Sequence, residues 1–186
     1  MAREMKIADP GFFQAPGKDI DSAQAERSEK RYRDVRGLFE NTDGSLDPDT
    51  VMYETAAVMA KETGSGHLNW ILTTVHPVLV NGECNMTRGY FRKKEDCEEY
   101  YRCEGGRGLL MMEDGNGNCF CEKMSKGSLH RVKGNLARRL INTGNKDLRV
   151  VCVANADSGH DHERVEKYPF PFRVFRKNGK ILVRER

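Results

Sequence analysis

The feature that most constrains this chain is a rhythm that begins near residue 51. Short apolar runs, "VMYETAAVM", "HLNWILTTVHPVLV", "GLLMM", "NCFCEKM", "SLHRV", "RRLIN", "LRVVCVA", "FRVFR" and "KILVR", alternate with the turn-forming clusters "TGSG", "NG", "EGGRG", "DGNGN", "NTGNKD" and "KNG". Runs of this length bounded by Gly, Asn and Asp read as strands, and many of them at regular spacing predict an antiparallel sandwich or barrel. "DGNG" and "KNG" are hairpin signals, because Asn-Gly and Asp-Gly tolerate positive φ. Beyond residue 60 there is no 15-residue helical pattern, and no internal repeat or low-complexity tract appears anywhere. The pattern therefore predicts an all-β barrel over 51–186. A small barrel can hold one ligand in its mouth, and its inward positions alternate along each strand.

Residues 1–50 have a different texture and read as a polar N-terminal arm, partly helical. "DSAQAERSEKRYRDVRGLF" predicts a helix capped at Asp21 or Ser22, interrupted by Gly37 and by the "NTDGSLDPD" cluster at 41–49.

Charge and composition exclude several classes. A net charge of +3 over 186 residues is too small to argue for nucleic acid or an anionic membrane as partner. No apolar run approaches the roughly 20 residues that span a bilayer. The opening "MAREMKIADPGFFQAPG" has no apolar h-region, so a cytoplasmic protein is expected. In that compartment disulfides are not expected among Cys84, Cys97, Cys103, Cys119, Cys121 and Cys152. Cys119 and Cys121 would share one face of a strand. Without a second Cys/His pair at finger-like spacing, the cysteines read as small core hydrophobes rather than zinc ligands.

The segment 87–101, "TRGYFRKKEDCEEYY", looks like a binding site from which something has been removed: a basic run is followed by Asp96, Glu98 and Glu99. Around it stand "DVRGLF" at 34–39, "VMYE" at 51–54, "TTV" at 73–75, "EGGRGLLMM" at 104–112, "KGSLHRVKGNLARRLINTG" at 126–144 and "ADSGHDHERVEK" at 156–167. In order and spacing these resemble the cupin-type glucose-6-phosphate isomerases of archaea and some bacteria, from about Asp34 to Val183. The resemblance implies a cupin jelly-roll barrel, a homodimer, interconversion of glucose 6-phosphate and fructose 6-phosphate, and a divalent metal such as Fe, Mn or Zn held by three His and one Glu.

Carried over residue by residue, the ligand positions of that family are Tyr90, Arg92, Glu99 and Arg138. Three of the four have changed. A tyrosine hydroxyl is a poor ligand for most divalent ions, and guanidinium is cationic with no lone pair to give. No metal and no other cofactor is expected, since only Glu99 can coordinate. His76 is the residue nearest to a replacement, because on a regular strand it shares a face with Thr74. The second cupin motif also departs, with Lys133 at its proline position, while Gly127 and Asn142 stay in register.

The resemblance further implies a phosphate held by Thr74, Thr87 and Gly89, and a sugar flanked by Tyr53 and Tyr101. Hydroxyls and an unhindered glycine N–H can donate to phosphate oxygens without adding charge. Threonine and tyrosine are also favoured in strands for reasons of packing alone. Arg92 and Arg138 would return the two positive charges lost with the ion, and one or both should reach Glu99. Three readings remain open. The chain is a weak isomerase with Glu99 as base and Arg92 and Arg138 as electrophile; or it is a metal-free module binding a sugar phosphate or other small anion without catalysis; or it is a folded relic without a ligand.

Overall fold

A computed structural model describes residue 5, residues 7–64 and residues 66–186. Fifteen strands follow in chain order: β1 (Glu26–Arg31), β2 (Val51–Val58), β3 (Leu68–Val75), β4 (Leu79–Val80), β5 (Glu83–Cys84), β6 (Phe91–Arg92), β7 (Glu99–Gly105), β8 (Arg107–Glu113), β9 (Cys119–Ser125), β10 (Leu129–Val132), β11 (Ala137–Asn142), β12 (Leu148–Asn155), β13 (His160–Asp161), β14 (Phe172–Lys177) and β15 (Lys180–Glu185). Two short helices, α1 (Tyr32–Val35) and α2 (His162–Lys167), complete the fold. Among the described residues, no helix is long and apolar enough to cross a membrane.

The strands form an all-β jelly roll. A six-stranded antiparallel sheet runs β1-β2-β3-β12-β7-β10, and a three-stranded sheet runs β11-β8-β9. Smaller sheets join β13 to β6 and run β15-β14-β5-β4. The ladders do not close into one continuous barrel. Isolated bridges, Met86 to Ile141 and Tyr90 to Arg138, tie the 86–92 segment to β11.

The middle sheet is covered on both faces. On one side Leu110, Met112 and Leu140 pack with Val75, Tyr101, Val150 and Cys152 of the large sheet. On the other, Met111, Ala137 and Ile141 pack with Cys84, Met86, Phe91, Phe170 and Val174. Successive side chains of a strand point to opposite faces, so a strand between two layers is buried throughout. β11 is: all six residues, Arg138 and Arg139 included, are buried.

The turn signals carry their expected geometry. Asn178 and Gly179 (φ 50° and 74°) join β14 to β15, and Asn81 and Gly82 (φ 49° and 85°) join β4 to β5. Positive φ at both central residues is the turn whose twist matches a hairpin.

The helix expected from Asp21 or Ser22 does not form. Residues 26–31 are instead the edge strand β1, paired with β2 from Glu26–Ala57 to Arg31–Val51. The sequence "ERSEKR" has no apolar position because this strand is exposed nearly throughout. Its pairing with β2 overrides the helical propensity of Ala, Gln and Glu. Only Tyr32–Val35, continued by a 3-10 turn over Arg36–Leu38, turns helical, with Asp34 accepting from the Arg31 N–H at 2.9 Å. The preceding segment folds back over the outer face of the large sheet, where Ile20 packs on Ala56, Leu72 and Val151.

Candidate functional site

Between the large sheet and β11 lies a cavity of about 260 Å³. Its walls come from β2 (Tyr53, Thr55), β3 (Ile71, Thr73), the 87–90 segment, β7 (Tyr101), β11 (Arg138, Arg139, Leu140), β12 (Cys152) and the residues His160 and His162.

At its inner end stands Glu99, fully buried. The Arg92 Nε donates to one carboxylate oxygen, and the Arg138 Nη2 lies 3.3 Å from the same atom. The other oxygen accepts from the hydroxyls of Tyr101 (2.6 Å) and Tyr90 (3.1 Å) and from the Cys152 thiol (3.2 Å). Both arginines are themselves buried. The ring of Tyr90 lies between them, with each guanidinium carbon 5.1 Å from its centroid, and His160 packs on it at 4.1 Å.

These contacts fix the electrostatics. Burial alone would raise the Glu99 carboxyl, but Arg138 and Arg92, helped by Tyr101, overcome it and hold the group at about 2. The Tyr90 and Tyr101 hydroxyls are driven well above the usual tyrosine range, first by burial and then by neighbouring anions, so both stay neutral donors. Burial, with Arg92 adding to it, lowers His160 to about 4 and keeps its ring neutral near pH 7. Two guanidinium groups beside one carboxylate leave a net positive charge. Arg138 Nε and Nη1 and Arg92 Nη2 are buried with no protein partner.

This arrangement does not fit a divalent metal. Glu99, the one conventional ligand of the set, already has both oxygens engaged. Two cations stand where an ion would sit and would repel it. Among the described residues there is no group of three or more His, Cys, Asp or Glu placed to hold a metal ion. All six cysteines are free thiols.

Of the residues singled out from the sequence, Tyr53, Thr87, Gly89, Tyr90, Tyr101 and Arg138 all line the cavity, with Arg92 and Glu99 directly behind Tyr90. Thr74 does not. It points to the other face of β3, where its hydroxyl accepts from Arg149 at 3.2 Å, and Thr73 takes the inward position. The two-residue period of a strand decides this: Ile71 and Thr73 face in, Leu72 and Thr74 face out. His76 also lies outside the cavity. It pairs with Asp147 at 2.9 Å and is 3.9 Å from Glu54, so it cannot rebuild a ligand set around Glu99.

Gly89 takes φ +81°, and a Cβ there would meet Phe170 at 2.9 Å and the Arg138 carbonyl at 3.1 Å. The site thus needs glycine at this position for both backbone shape and space.

His162 is a site residue that the sequence did not single out. It opens α2, lines the cavity, and donates from Nδ1 to the Gly89 carbonyl at 2.7 Å. A carbonyl can only accept, so in the neutral ring the Nε2 lone pair is free. The signal available in the sequence was the His-x-His spacing of "GHDH" at 159–162.

Comparison with known proteins agrees over most of the chain. A family model described as glucose-6-phosphate isomerase (GPI) matches residues 29–185. A glucose-6-phosphate isomerase of Thermococcus litoralis is 30% identical over 165 residues, covering 87% of this chain and 86% of its own. One of Pyrococcus horikoshii is 31% identical over 172 residues, covering 89% and 90%. Among solved structures, hazelnut vicilin superposes with a TM-score of 0.47 at 12% identity, over 67% of this chain and 34% of that one.

Proposed function

The chain belongs to the cupin-type glucose-6-phosphate isomerase family, and from that premise we propose that its cavity binds a sugar phosphate without a metal ion and isomerises it slowly. The observation that carries this reading is the saturation of Glu99 by Arg92, Arg138, Tyr90 and Tyr101.

Family membership supports the interconversion of glucose 6-phosphate and fructose 6-phosphate. That reaction moves a proton between C2 and C1 of the open-chain sugar and passes charge through an enediolate oxygen. In this cavity Thr73, Thr87 and Gly89, with Arg88 and Arg139 beside them, would hold the phosphate. Tyr53 would offer the sugar an apolar wall with a polar edge. The Arg138 guanidinium, which lines the cavity, would bring positive charge close to the developing enediolate oxygen and stabilise it.

The weak element is the base. A carboxylate held at about 2 by two arginines accepts a proton poorly, and a His160 lowered to about 4 is little better. The free Nε2 of His162 is the better placed acceptor: it would take the proton from C2 and return it to C1. Turnover through this route should be low. The second reading, a binding module without catalysis, is favoured by the same ion triad, which keeps the inner end of the cavity folded and cationic with no chemistry required of it.

Purified protein, analysed for metal by mass spectrometry, is to be assayed for conversion of fructose 6-phosphate with and without chelator, and its melting temperature followed with the same sugar phosphate. Chelator-resistant turnover supports the slow isomerase. A raised melting temperature without turnover supports the binding module. Neither response would sink both. The reading includes a cytoplasmic homodimer, for which the exposed Leu68, Trp70, Tyr100 and Leu129 on the outer face of the large sheet offer an apolar surface; light scattering at a monomer mass would remove it.

A further inference from the structure

Arg139, the neighbour of Arg138, faces the other way along β11 and has no anion. Its Nη2 donates to the Arg88 carbonyl at 2.8 Å and its Nη1 lies 3.1 Å from the Met86 sulfur. The guanidinium stacks over Phe170 at 4.5 Å, and its Nε is buried with no partner. The residue is only 7% exposed, and no carboxylate of the described residues lies within ion-pair distance. Burial draws it down to about 10, and Arg186 and Arg173 press in the same direction.

The one acidic group that partly offsets them is Glu83. It is fully committed: one oxygen takes Arg173 at 2.8 Å and the other takes the Glu40 N–H at 2.7 Å. Two buried arginines, Arg139 and Arg173, and the exposed Arg186 therefore have one carboxylate near them, and only Arg173 contacts it. An uncompensated buried cation is strongly destabilising, and the protein can relieve it by binding an anion.

There is room for one. A cavity of about 460 Å³ shares Tyr53, Arg88 and Arg139 with the sugar cavity and is lined also by Lys30, Asp34, Glu166 and Arg186. Its two acids are occupied, Asp34 by the Arg31 N–H and Glu166 by Arg88. Lys30, Arg139 and Arg186 have no acidic partner among the described residues. The volume falls within the range of small-molecule sites.

We propose that this second cavity, walled by Lys30, Arg139 and Arg186, is a binding site for a phosphoryl anion, such as a small phosphomonoester or inorganic phosphate, separate from the sugar cavity. It shares Tyr53, Arg88 and Arg139 with the sugar cavity, so an anion here is placed to act on sugar binding.

The test is titration of the full chain with inorganic phosphate, followed by melting temperature and by isothermal calorimetry. Lys30 and Arg186 are both exposed, and Lys30→Ala/Arg186→Ala should fold. Loss of two charge-assisted contacts should weaken phosphate binding by at least ~10-fold. Because phosphate can also enter the sugar cavity, the comparison is made in a Thr87→Val background, where that cavity is weakened and the second one keeps its lining. Absence of a phosphate response in Thr87→Val, or a response there that survives the added Lys30→Ala/Arg186→Ala, would place the anion elsewhere and overturn the proposal. So would the absence of any response in the wild type.

Discussion

Tyr90 and Arg138 face each other across an isolated antiparallel bridge, and the Arg138 guanidinium carbon lies 5.1 Å from the centre of the Tyr90 ring. Arg92 approaches the same ring at the same distance. An aromatic face attracts cations, and the hydroxyl of this ring reaches the carboxylate that both cations serve. Tyr90, Arg92 and Arg138 therefore work as one unit around Glu99.

Removing the anion from that unit should cost the most. Glu99→Gln leaves two buried guanidinium groups without a counter-charge, and a loss of about 3–5 kcal/mol is expected in urea unfolding. Tyr90→Phe removes the hydroxyl that contacts Glu99 and Tyr101 while keeping the ring between the arginines, and should cost about 1 kcal/mol. Equal losses for the two variants would contradict the ion-triad account.

Acid should destabilise the fold in two overlapping stages. His160 and Glu99 are both held below their ordinary values, so both contribute at neutral pH and lose that contribution as pH falls. The His160 share should fade between about pH 6.5 and 4, and the Glu99 share between about pH 4.5 and 2. The Glu99 share is on the order of 3 kcal/mol. Unfolding free energies measured from pH 8 downward should be flat at first and then decline. His160→Gln should remove the earlier part of the fall and leave the later one.

The two threonines of β3 give a register test. Thr73→Val and Thr87→Val should each weaken fructose 6-phosphate binding roughly 10–100-fold, the worth of a hydrogen bond to a charged group. Thr74→Val faces Arg149 on the opposite side of the strand and should leave the affinity within about twofold. Calorimetry on the three variants decides the register directly.

Placing imidazoles at 90, 92 and 138 should create a metal site. Residues 90 and 138 oppose each other directly, and residues 90 and 92 lie on one side of the segment that contacts Glu99. Tyr90→His/Arg92→His/Arg138→His is expected to bind Mn²⁺, Fe²⁺ or Zn²⁺. Without supporting hydrogen bonds tuned to the ligands, affinity should fall ~10–100-fold below a mature site. Faster isomerisation with metal than without is the expected gain. A folded variant that titrates with none of these ions would show that the cavity has closed.

Much of this was readable beforehand because it is local. The turn residues at 81–82, 114–117 and 178–179 announce their geometry, and the strand runs between them carry a period of two. What failed was non-local. The edge strand β1 has no apolar face to betray it, and among the described residues it pairs with β2 alone. The choice of Thr73 over Thr74 depends on the pleat of β3, and two adjacent threonines look alike in sequence. Arg139 stayed out of view for the same reason: nothing in "LARRLIN" says that the two arginines are buried on opposite faces. His76 failed as a candidate because Asp147, 71 positions away, claims it.

The stretch from Lys133 to Leu136 joins β10 to β11 and sets where along its course β11 begins. A slip of one residue there would exchange the faces of Arg138 and Arg139, turning one guanidinium away from Glu99 and replacing it with the other. The same slip would turn Leu140 and Ile141 out of their respective cores. This connection is therefore a ruler: substitutions at Lys133, Asn135 and Leu136 should be tolerated, Gly134 excepted because a Cβ there would meet the Glu95 and Cys97 carbonyls at 2.5 Å, whereas a single inserted or deleted residue should be lethal to the fold. Natural variation in it is expected in composition and not in length.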